Sequence, residues 1–374
     1  MINITNKEKC SGCEACVNIC PKNCITMIED KYGFRYPTVN QSQCSNCNLC
    51  ESVCPIKKFN KEVYACYAKN KNEYMSSSSG GAFAVIARKV LTNGGLVCGA
   101  AFDENFNVKH MIISNLNDLY KLKGTKYVQS EIGSVYKDIK KYLDKRYQVL
   151  FSGTPCEVAG LKKYLKNEYS NLITVDLICH GVPSPKIWQD YLNEVKGVNK
   201  IKNVSFRNKK EGISNVYVDI EFDNGKILHE KYSENIYING FINNLYIRPS
   251  CNNCQFKGDM RYSDITLGDF WSIDEFHRGF SQGYGTSAVV LHTEKGKKMF
   301  NTIKQDLVYT GSTLENATVW NSCYFESVKS DKNANLFFET YKQNGLVSTI
   351  SSIKNNKKEK NNSILKKIKN KLGM

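Results

Sequence analysis

The chain has 374 residues, of which 41% are hydrophobic and 24% are charged, a globular composition that excludes wholesale disorder. The length exceeds one ordinary domain and predicts two or three. Without a run of about 20 apolar residues or a signal-peptide core, we expect a cytoplasmic protein that is not integral to a membrane. The net charge of +16 lies substantially in residues 354–374, which argues against nucleic acid as a partner, since its binding requires a basic stripe.

The sixteen cysteines are unusually many and predict metal ligands or redox groups in a cytoplasmic chain. Nine of them fall within the first 54 residues. There the spacing C-x2-C-x2-C-x3-C-P occurs twice, 34 residues apart. The repeated unit is too small to bury a core of its own, so we expect its fold to depend on bound metal.

This spacing is the bacterial ferredoxin run, in which the fourth cysteine of each run binds the other cluster. It predicts one [4Fe-4S] cluster on Cys10, Cys13, Cys16 and Cys54, and a second on Cys44, Cys47, Cys50 and Cys20. Zinc is the alternative, although structural zinc sites usually use two separated C-x2-C pairs. Cys24 lies outside both patterns and has no predicted role.

From about residue 61 the pattern changes to strands alternating with helices. The sequence EVYACYA predicts a strand, AFAVIARKVLTNGG a helix that stops at two glycines, GLVCGAAF a buried strand and SVYKDIKKYLDKR a helix. The order VLFSG, EVAGLKKYLK, ITVDLIC predicts two parallel strands joined by a right-handed helical crossover. The sequence VYVDIEF-DNG-KILHEKY predicts a hairpin. The remaining DITLGDF, SAVVLHT and EKGKKMFNTIKQDL predict two strands and a helix.

A serine-glycine loop, Ser76 to Gly81, directly precedes the first of these helices. Exposed amides and hydroxyls at a helix N-terminus form an anion site that suits a dinucleotide pyrophosphate. The loop matches neither the Walker nor the G-x-G-x-x-G pattern. The alternative is an N-cap and linker without a ligand.

Four further cysteines, Cys156, Cys179, Cys251 and Cys254, stand in motifs of the body. Cys156 and Cys179 follow the two parallel strands, whose carboxyl ends share one edge of the sheet, so both thiols are expected in its ligand-binding crevice. The alternatives are buried thiols that only pack, or a zinc site. His180 has two interpretations, a ligand or proton donor and an ordinary loop histidine. Cys66, Cys98 and Cys323 are expected to be structural.

These body motifs resemble the coenzyme F420 hydrogenase/dehydrogenase beta-subunit family. The matching segments are SSGGAFAVIARKVLTNGGLVCGAAF, GTKYVQS, VLFSGTPCEVAGLKKYL, DLICHGVPSP, RPSCNNCQFK and SDITLGDFW. The resemblance implies an iron–sulfur flavoprotein that binds FAD. It assigns a third [4Fe-4S] cluster to Cys156, Cys179, Cys251 and Cys254, with Arg248 and Arg261 offsetting its charge or serving as ordinary surface charge. It assigns flavin contacts to Ser78, Ser79, Gly80, Gly81, Lys126 and Tyr127, with Lys126 as the catalytic residue that stabilises the reduced anion.

The expected fold class is α/β (mixed α+β), with an N-terminal two-[4Fe-4S] ferredoxin-like domain and a larger α/β flavin-binding domain. The expected boundaries are 1–60, 61–345 with parts 61–148 and 149–345, and a basic tail at 346–374. This tail either attracts anionic lipid or a partner, or is simply solvated.

The expected function is an oxidoreductase that relays single electrons between clusters and FAD and exchanges hydride with a small-molecule two-electron substrate. That substrate is the deazaflavin coenzyme F420 or another small organic acceptor, with surface-polysaccharide synthesis as one setting. The redox partner would be a ferredoxin or a hydrogenase or reductase subunit. The alternatives are an electron-transfer subunit with no substrate of its own and a redox-silent protein.

Overall fold

The computed structural model describes Lys7 and residues 10–54 and 61–353. The chain divides into two compact units, Met1–Asn60 and Lys61–Met374. The basic segment 354–374 lies outside the described residues, so its predicted role stays a prediction. Among the described residues, no helix is both long and apolar enough to cross a membrane.

The first unit repeats a loop and a short helix around one hairpin. Its helices are α1 (Ala15–Asn18) and α2 (Leu49–Val53), and its strands are β1 (Ile25–Glu29) and β2 (Arg35–Val39). The two strands pair antiparallel. The small core contains cysteines together with few apolar side chains. So little buried apolar surface agrees with a fold that depends on bound metal.

The second unit contains most of the regular structure. Its strands are β3 (Glu62–Ala68), β4 (Leu96–Phe102), β5 (Val108–Ile113), β6 (Val149–Gly153), β7 (Leu172–Leu177), β8 (Ile201–Asn208), β9 (Tyr217–Phe222), β10 (Ile227–Lys231), β11 (Ile265–Asp269), β12 (Ser287–Leu291) and β13 (Leu307–Ser312). Its α-helices are α3 (Lys71–Met75), α4 (Ala82–Thr92), α5 (Leu119–Leu122), α6 (Val135–Asp144), α7 (Pro155–Leu165), α8 (Pro185–Lys196), α9 (Ile236–Ile242), α10 (Ile273–Phe276), α11 (Glu294–Ile303), α12 (Leu314–Thr318) and α13 (Ala334–Asn344).

An eight-stranded mixed sheet organises this unit, in the order β13-β3-β12-β11-β7-β6-β4-β5. The strands β4, β6, β7 and β11 form its parallel part. The predicted strand-helix-strand unit is confirmed, because β6 and β7 are parallel neighbours joined by α7. Strands from residues 61–148 and from 149–345 share this one sheet. Their carboxyl ends therefore meet along one edge, where open α/β sheets bind ligands.

Both faces of the sheet are covered, because successive side chains of a strand point to opposite sides. On one face Leu150 and Ile173 join the core that contains α4 and α11. On the other face Val149, Phe151 and Leu172 join the core that contains α6 and α7. The near-continuous apolar runs of these strands are typical of parallel strands buried on both sides.

A second, three-stranded sheet with the order β10-β9-β8 lies beside this layer. The predicted hairpin is β9 and β10, which pair antiparallel with Ile220 opposite Leu228. Helices α8, α9 and α13 pack over the sheet around Trp188 and Tyr237. Residues 346–353, grouped above with the basic tail, are helical, and Leu346 and Ile350 are buried in this core.

Candidate functional site

The two cysteine loops of the first unit share one backbone conformation. Gly12 (φ 66°) and Asn46 (φ 54°) occupy the same repeat position in left-handed conformation, and so do Glu14 (φ 59°) and Asn48 (φ 60°). Left-handed residues in such loops form nests of backbone N–H groups that bind anions, Fe–S clusters among them. In the second loop the Asn46 amide donates to Cys44 Sγ at 3.4 Å. Both loops are therefore suited to an anionic cluster.

The folded unit brings cysteines of the two runs together. Burial raises the pKa of the Cys16 thiol, and the neighbouring Cys54 and Cys13 thiols contribute to the same shift. One small cavity is lined by the predicted ligands of the second cluster, Cys20, Cys44, Cys47 and Cys50. This arrangement fits the exchange of the fourth cysteine between runs, and the residues present fit two [4Fe-4S] clusters.

Cys24, to which the sequence assigned no role, contacts a predicted ligand. Its Sγ lies 3.4 Å from Cys20 Sγ. That hydrogen bond, followed by desolvation, raises the pKa of the Cys24 thiol to about 11. A protonated thiol at this position donates to the sulfur of Cys20. Hydrogen bonds to ligand sulfurs are among the factors that set cluster potentials.

The four body cysteines gather at the edge of the large sheet. Cys156 lies in the first turn of α7, and Cys179 lies two residues beyond β7. The chain after Cys179 runs beside the segment that leads to Cys251, since Pro183 bridges Ile247. A Cβ built on Gly181 would lie 3.4 Å from Cys251 Cβ, so only a small residue permits this approach.

Mutual electrostatic effects show that these thiols are neighbours. Burial raises the pKa of the Cys179 thiol, and Cys156 and Cys251 add to that shift. Desolvation raises the pKa of the Cys156 thiol, with contributions from Cys254 and Cys251. Neighbouring thiols of this kind can become metal ligands, because metal binding releases their protons. The residues present therefore fit a cluster.

The described residues contain no group of three or more His, Cys, Asp or Glu side chains placed to hold a single metal ion. A four-iron cluster is bound differently, because each thiolate binds its own iron and the sulfurs lie farther apart than around one ion.

A cavity of about 550 Å³ opens at the carboxyl ends of the parallel strands. The strand residues that line it include Gly99, Ser152, Val175 and Leu267. Cys179 lines the same cavity, so the cavity reaches the body cysteines. This position is the ligand crevice that the strand order predicts.

The predicted serine-glycine loop forms one wall of this cavity. Ser78, Ser79 and Gly81 line it, together with Ala82 at the first turn of α4. Ser78 Oγ accepts hydrogen bonds from the Thr125 amide at 2.6 Å and from Thr125 Oγ1 at 2.7 Å. The loop and the GTKYVQS segment are thereby joined. A helix N-terminus in a cavity of this size fits the phosphates of a dinucleotide such as FAD.

Gly80 does not line the cavity but holds the loop against the sheet. A Cβ at Gly80 would lie 2.3 Å from the Cys66 carbonyl oxygen and 2.6 Å from the Ser287 amide nitrogen. Gly81 has a φ of 91° and begins α4. The strict need for glycine at position 80 therefore comes from backbone packing, and at position 81 from the left-handed conformation.

We expect Gly80→Ala to lower flavin affinity at least about tenfold, because displacing the loop costs more than the 1.4 kcal/mol that corresponds to that factor. Flavin content of the purified protein measures the effect. Gly311→Ala is the control, since a Cβ there meets nothing within 4 Å. Equal flavin content in the two variants would contradict the packing argument.

Lys126 and Tyr127 also line the cavity. The Lys126 ammonium donates to the carbonyl oxygens of Lys121 and Lys123 at 2.9 Å and of Gly124 at 3.3 Å. Burial lowers the pKa of the Lys126 amine to about 7. Lys126 therefore stabilises the backbone of its own loop, and it also lines the cavity.

The cavity lining also includes residues to which the sequence assigned no role. Arg207 pairs with Asp269 at 2.8 Å and lies over the Trp271 ring at 5.6 Å. All three line the cavity, as does Trp320. Behind the serine loop the buried Lys209 donates to the Ser79 carbonyl oxygen. Arg207 is thus balanced by Asp269, and Lys209 is engaged by the backbone of the serine loop.

His180 has defined partners on the cavity wall. Asn244 Nδ2 donates to the Lys329 carbonyl oxygen, so its Oδ1 faces His180 Nε2 at 2.7 Å and accepts from it. His180 Nδ1 is then the acceptor that faces Cys323 Sγ at 3.6 Å. Its two nitrogens thus contact an amide and a thiol.

Arg248 and Arg261, which flank the loop that carries Cys251 and Cys254, differ in burial. Arg261 is buried, pairs with Asp176 at 3.0 Å and lies over the Tyr324 ring at 4.6 Å. The surface alternative is therefore wrong for Arg261. Arg248 is exposed and donates to Gln129 Oε1 at 3.1 Å.

Known protein families match segments in both units of the chain. Residues 147–316 match the C-terminal model of the coenzyme F420 hydrogenase/dehydrogenase beta subunit, and residues 9–58 match a 4Fe-4S dicluster domain. Over 323 residues the chain is 26% identical to the coenzyme F420-dependent sulfite reductase of Methanocaldococcus jannaschii, covering 80% of this chain and 47% of that protein. The chain thus spans about half the length of this curated relative.

The fold is similar to that of a chain in the xenon-derivatised F420-reducing [NiFe] hydrogenase complex from Methanosarcina barkeri. The TM-score is 0.50 at 16% identity, over 75% of this chain and 92% of that one. These matches confirm the family resemblance and the mixed α/β fold with its ferredoxin-like unit, and the activity stays a prediction. FAD, the substrate and the individual ligands stay predictions.

Proposed function

We propose that this chain, which belongs to the coenzyme F420 hydrogenase/dehydrogenase beta-subunit family and carries a 4Fe-4S dicluster domain, relays electrons between three [4Fe-4S] clusters and FAD. One observation carries the proposal. A single cavity is lined both by the loop at the N-terminus of α4 and by Cys179 of the body cysteine group. A flavin in that cavity would lie next to a cluster.

The residues that would hold FAD surround one end of the cavity. The amides at the start of α4 and the hydroxyl of Ser78, which Thr125 orients, would bind phosphate. Lys123, whose Nζ donates to Ser76 Oγ at 2.7 Å, and Lys126 would add positive charge. FAD supplies the coupling of a two-electron hydride to single electrons. The protein's part is to bind, orient and exclude water.

The body cluster would be bound by Cys156, Cys179, Cys251 and Cys254. The N-terminal amides of α7 favour the thiolate of Cys156. The ferredoxin unit, with its eight predicted cluster ligands, would exchange single electrons with a partner such as a ferredoxin or a hydrogenase or reductase subunit.

The substrate would be a small-molecule two-electron carrier, the deazaflavin coenzyme F420 or another small organic acceptor. The names of the matched relatives favour coenzyme F420. A second candidate function, an electron-transfer subunit with no substrate of its own, is favoured by the structural neighbour's place in a complex.

Anaerobic purification with cofactor extraction tests the proposal. We expect FAD and about twelve irons per chain, three clusters of four. Reduced coenzyme F420, NADH and reduced ferredoxin would then be screened for reduction of the bound flavin. Reduction by a two-electron donor supports an enzyme with its own substrate. Reduction by ferredoxin alone supports the subunit, and protein without flavin contradicts both.

Lys126→Ala is expected to slow reduction of the bound flavin about 10²-fold, the usual cost of losing one electrostatic donor at a charge that develops in the reaction. Stopped-flow absorbance measures the rate. The control is Lys121→Ala, since Lys121 pairs with Asp118 outside the cavity. Equal rates of flavin reduction in the two variants would contradict a catalytic role for Lys126.

A further inference from the structure

Lys257 is the last residue of the RPSCNNCQFK segment, where the sequence assigned it no role, and it binds the backbone beside the body cysteines. Its Nζ donates to the carbonyl oxygen of Cys179 at 2.6 Å and to that of Cys323 at 2.8 Å. The side chain thus ties the loop after β7 to the segment around Cys323. It does so three residues after Cys254, the last predicted ligand of the body cluster.

The charge of Lys257 is not neutralised by a carboxylate within the described part of the chain. The half-buried Lys257 differs in this from Arg261, a nearby cation with a buried side chain, which is paired with Asp176. Arg248 is exposed and its bond is to an amide. Carbonyl oxygens carry only partial charges, so Lys257 retains most of its field.

We propose that Lys257 sets the reduction potential of the body cluster and thereby favours electron entry into it. This rests on the proposed function, which assigns that cluster. Each added electron makes a cluster more negative, so a fixed positive charge stabilises the reduced form more than the oxidised form. Net charge and hydrogen bonding near the sulfurs are the factors through which proteins set such potentials.

Lys257→Gln removes the charge and keeps a donor for the carbonyl oxygens, whereas Lys257→Arg keeps both. Potentiometric titration of anaerobic protein, followed by electron paramagnetic resonance, measures the potential of each cluster. For Lys257→Gln we expect the reduced-to-oxidised ratio of the body cluster to fall at least about tenfold at fixed potential, a shift of about 59 mV for a one-electron couple. Lys257→Arg should retain the original value.

Lys226→Gln is the matched control, because it changes the net charge equally on an exposed turn between β9 and β10. It should shift none of the potentials, and Lys257→Gln should shift only the body cluster. Equal potentials in Lys257→Gln and Lys257→Arg would overturn the proposal. Loss of body iron in Lys257→Gln would make Lys257 an assembly residue and would overturn it too. About eight irons in the unmutated protein would instead contradict the proposed function.

Discussion

Cys251→Ala is expected to lower the iron content from about twelve to about eight atoms per chain. The loss should be this large because the four body cysteines would share one cluster, and removal of one thiolate ligand destabilises that cluster as a whole. The two clusters of the ferredoxin unit share no ligand with it and should remain. Iron analysis and the resonance spectrum of the reduced protein measure both parts of the prediction.

Cys98→Ala is the matched control for removing a thiol. Cys98 is fully buried on β4 in the core that contains α6 and α7, where it packs among apolar side chains. The Cys98→Ala variant should retain about twelve irons per chain. About eight irons plus one zinc in the unmutated protein would refute the iron assignment, since four cysteines also form closed zinc sites.

The shared position of Cys156 and Cys179 was predictable from local patterns. The strands β6 and β7 and helix α7 each have a clear sequence signature, and strands joined by one helical crossover run parallel. Cys156 and Cys179 must then share one edge. The position of Cys251 followed only from the family resemblance, because a loop far along the chain carries no local signal of where it packs.

The polar contacts around the cavity were not predictable in this way. The pairing of Arg207 with Asp269 joins residues 62 positions apart, and Lys257 reaches back 78 positions to Cys179. A lysine three residues after a cysteine has the same local sequence whether it faces solvent or a cluster. Whether Lys257 faces solvent or the body cysteines is decided by the packing of the distant segment around Cys323.

The buried pairing of Arg261 with Asp176 could likewise not be predicted, because local sequence carries no signal of a contact between distant residues. Arg261→Met is expected to lower the free energy of unfolding of the second unit by about 3–5 kcal/mol, because it leaves the buried carboxylate of Asp176 without its countercharge. Thr266 Oγ1 still donates to that carboxylate but supplies no charge. Urea denaturation of the anaerobic protein measures the change.

The double variant Arg261→Met with Asp176→Asn should recover part of the stability, since it removes the uncompensated charge and keeps the shape of the side chain. A double variant as unstable as Arg261→Met would mean that lost packing against Tyr324, and not the charge, causes the destabilisation. Lys163→Met is a control, because this cation lies over the Tyr262 ring without a buried carboxylate.

The pH dependence of the stability of Arg261→Met is a second test of whether lost charge or lost packing destabilises this variant. Burial raises the pKa of the Asp176 carboxyl above 3.8, and Arg261 opposes that shift. Removing the arginine raises the folded-state pKa further, so the folded protein binds a proton that the unfolded chain releases. The variant's stability should then fall as the pH rises from about 3.9, the unfolded value, towards the raised folded value. A deficit that stays constant across that range would show that Asp176 does not titrate and would contradict the charge argument.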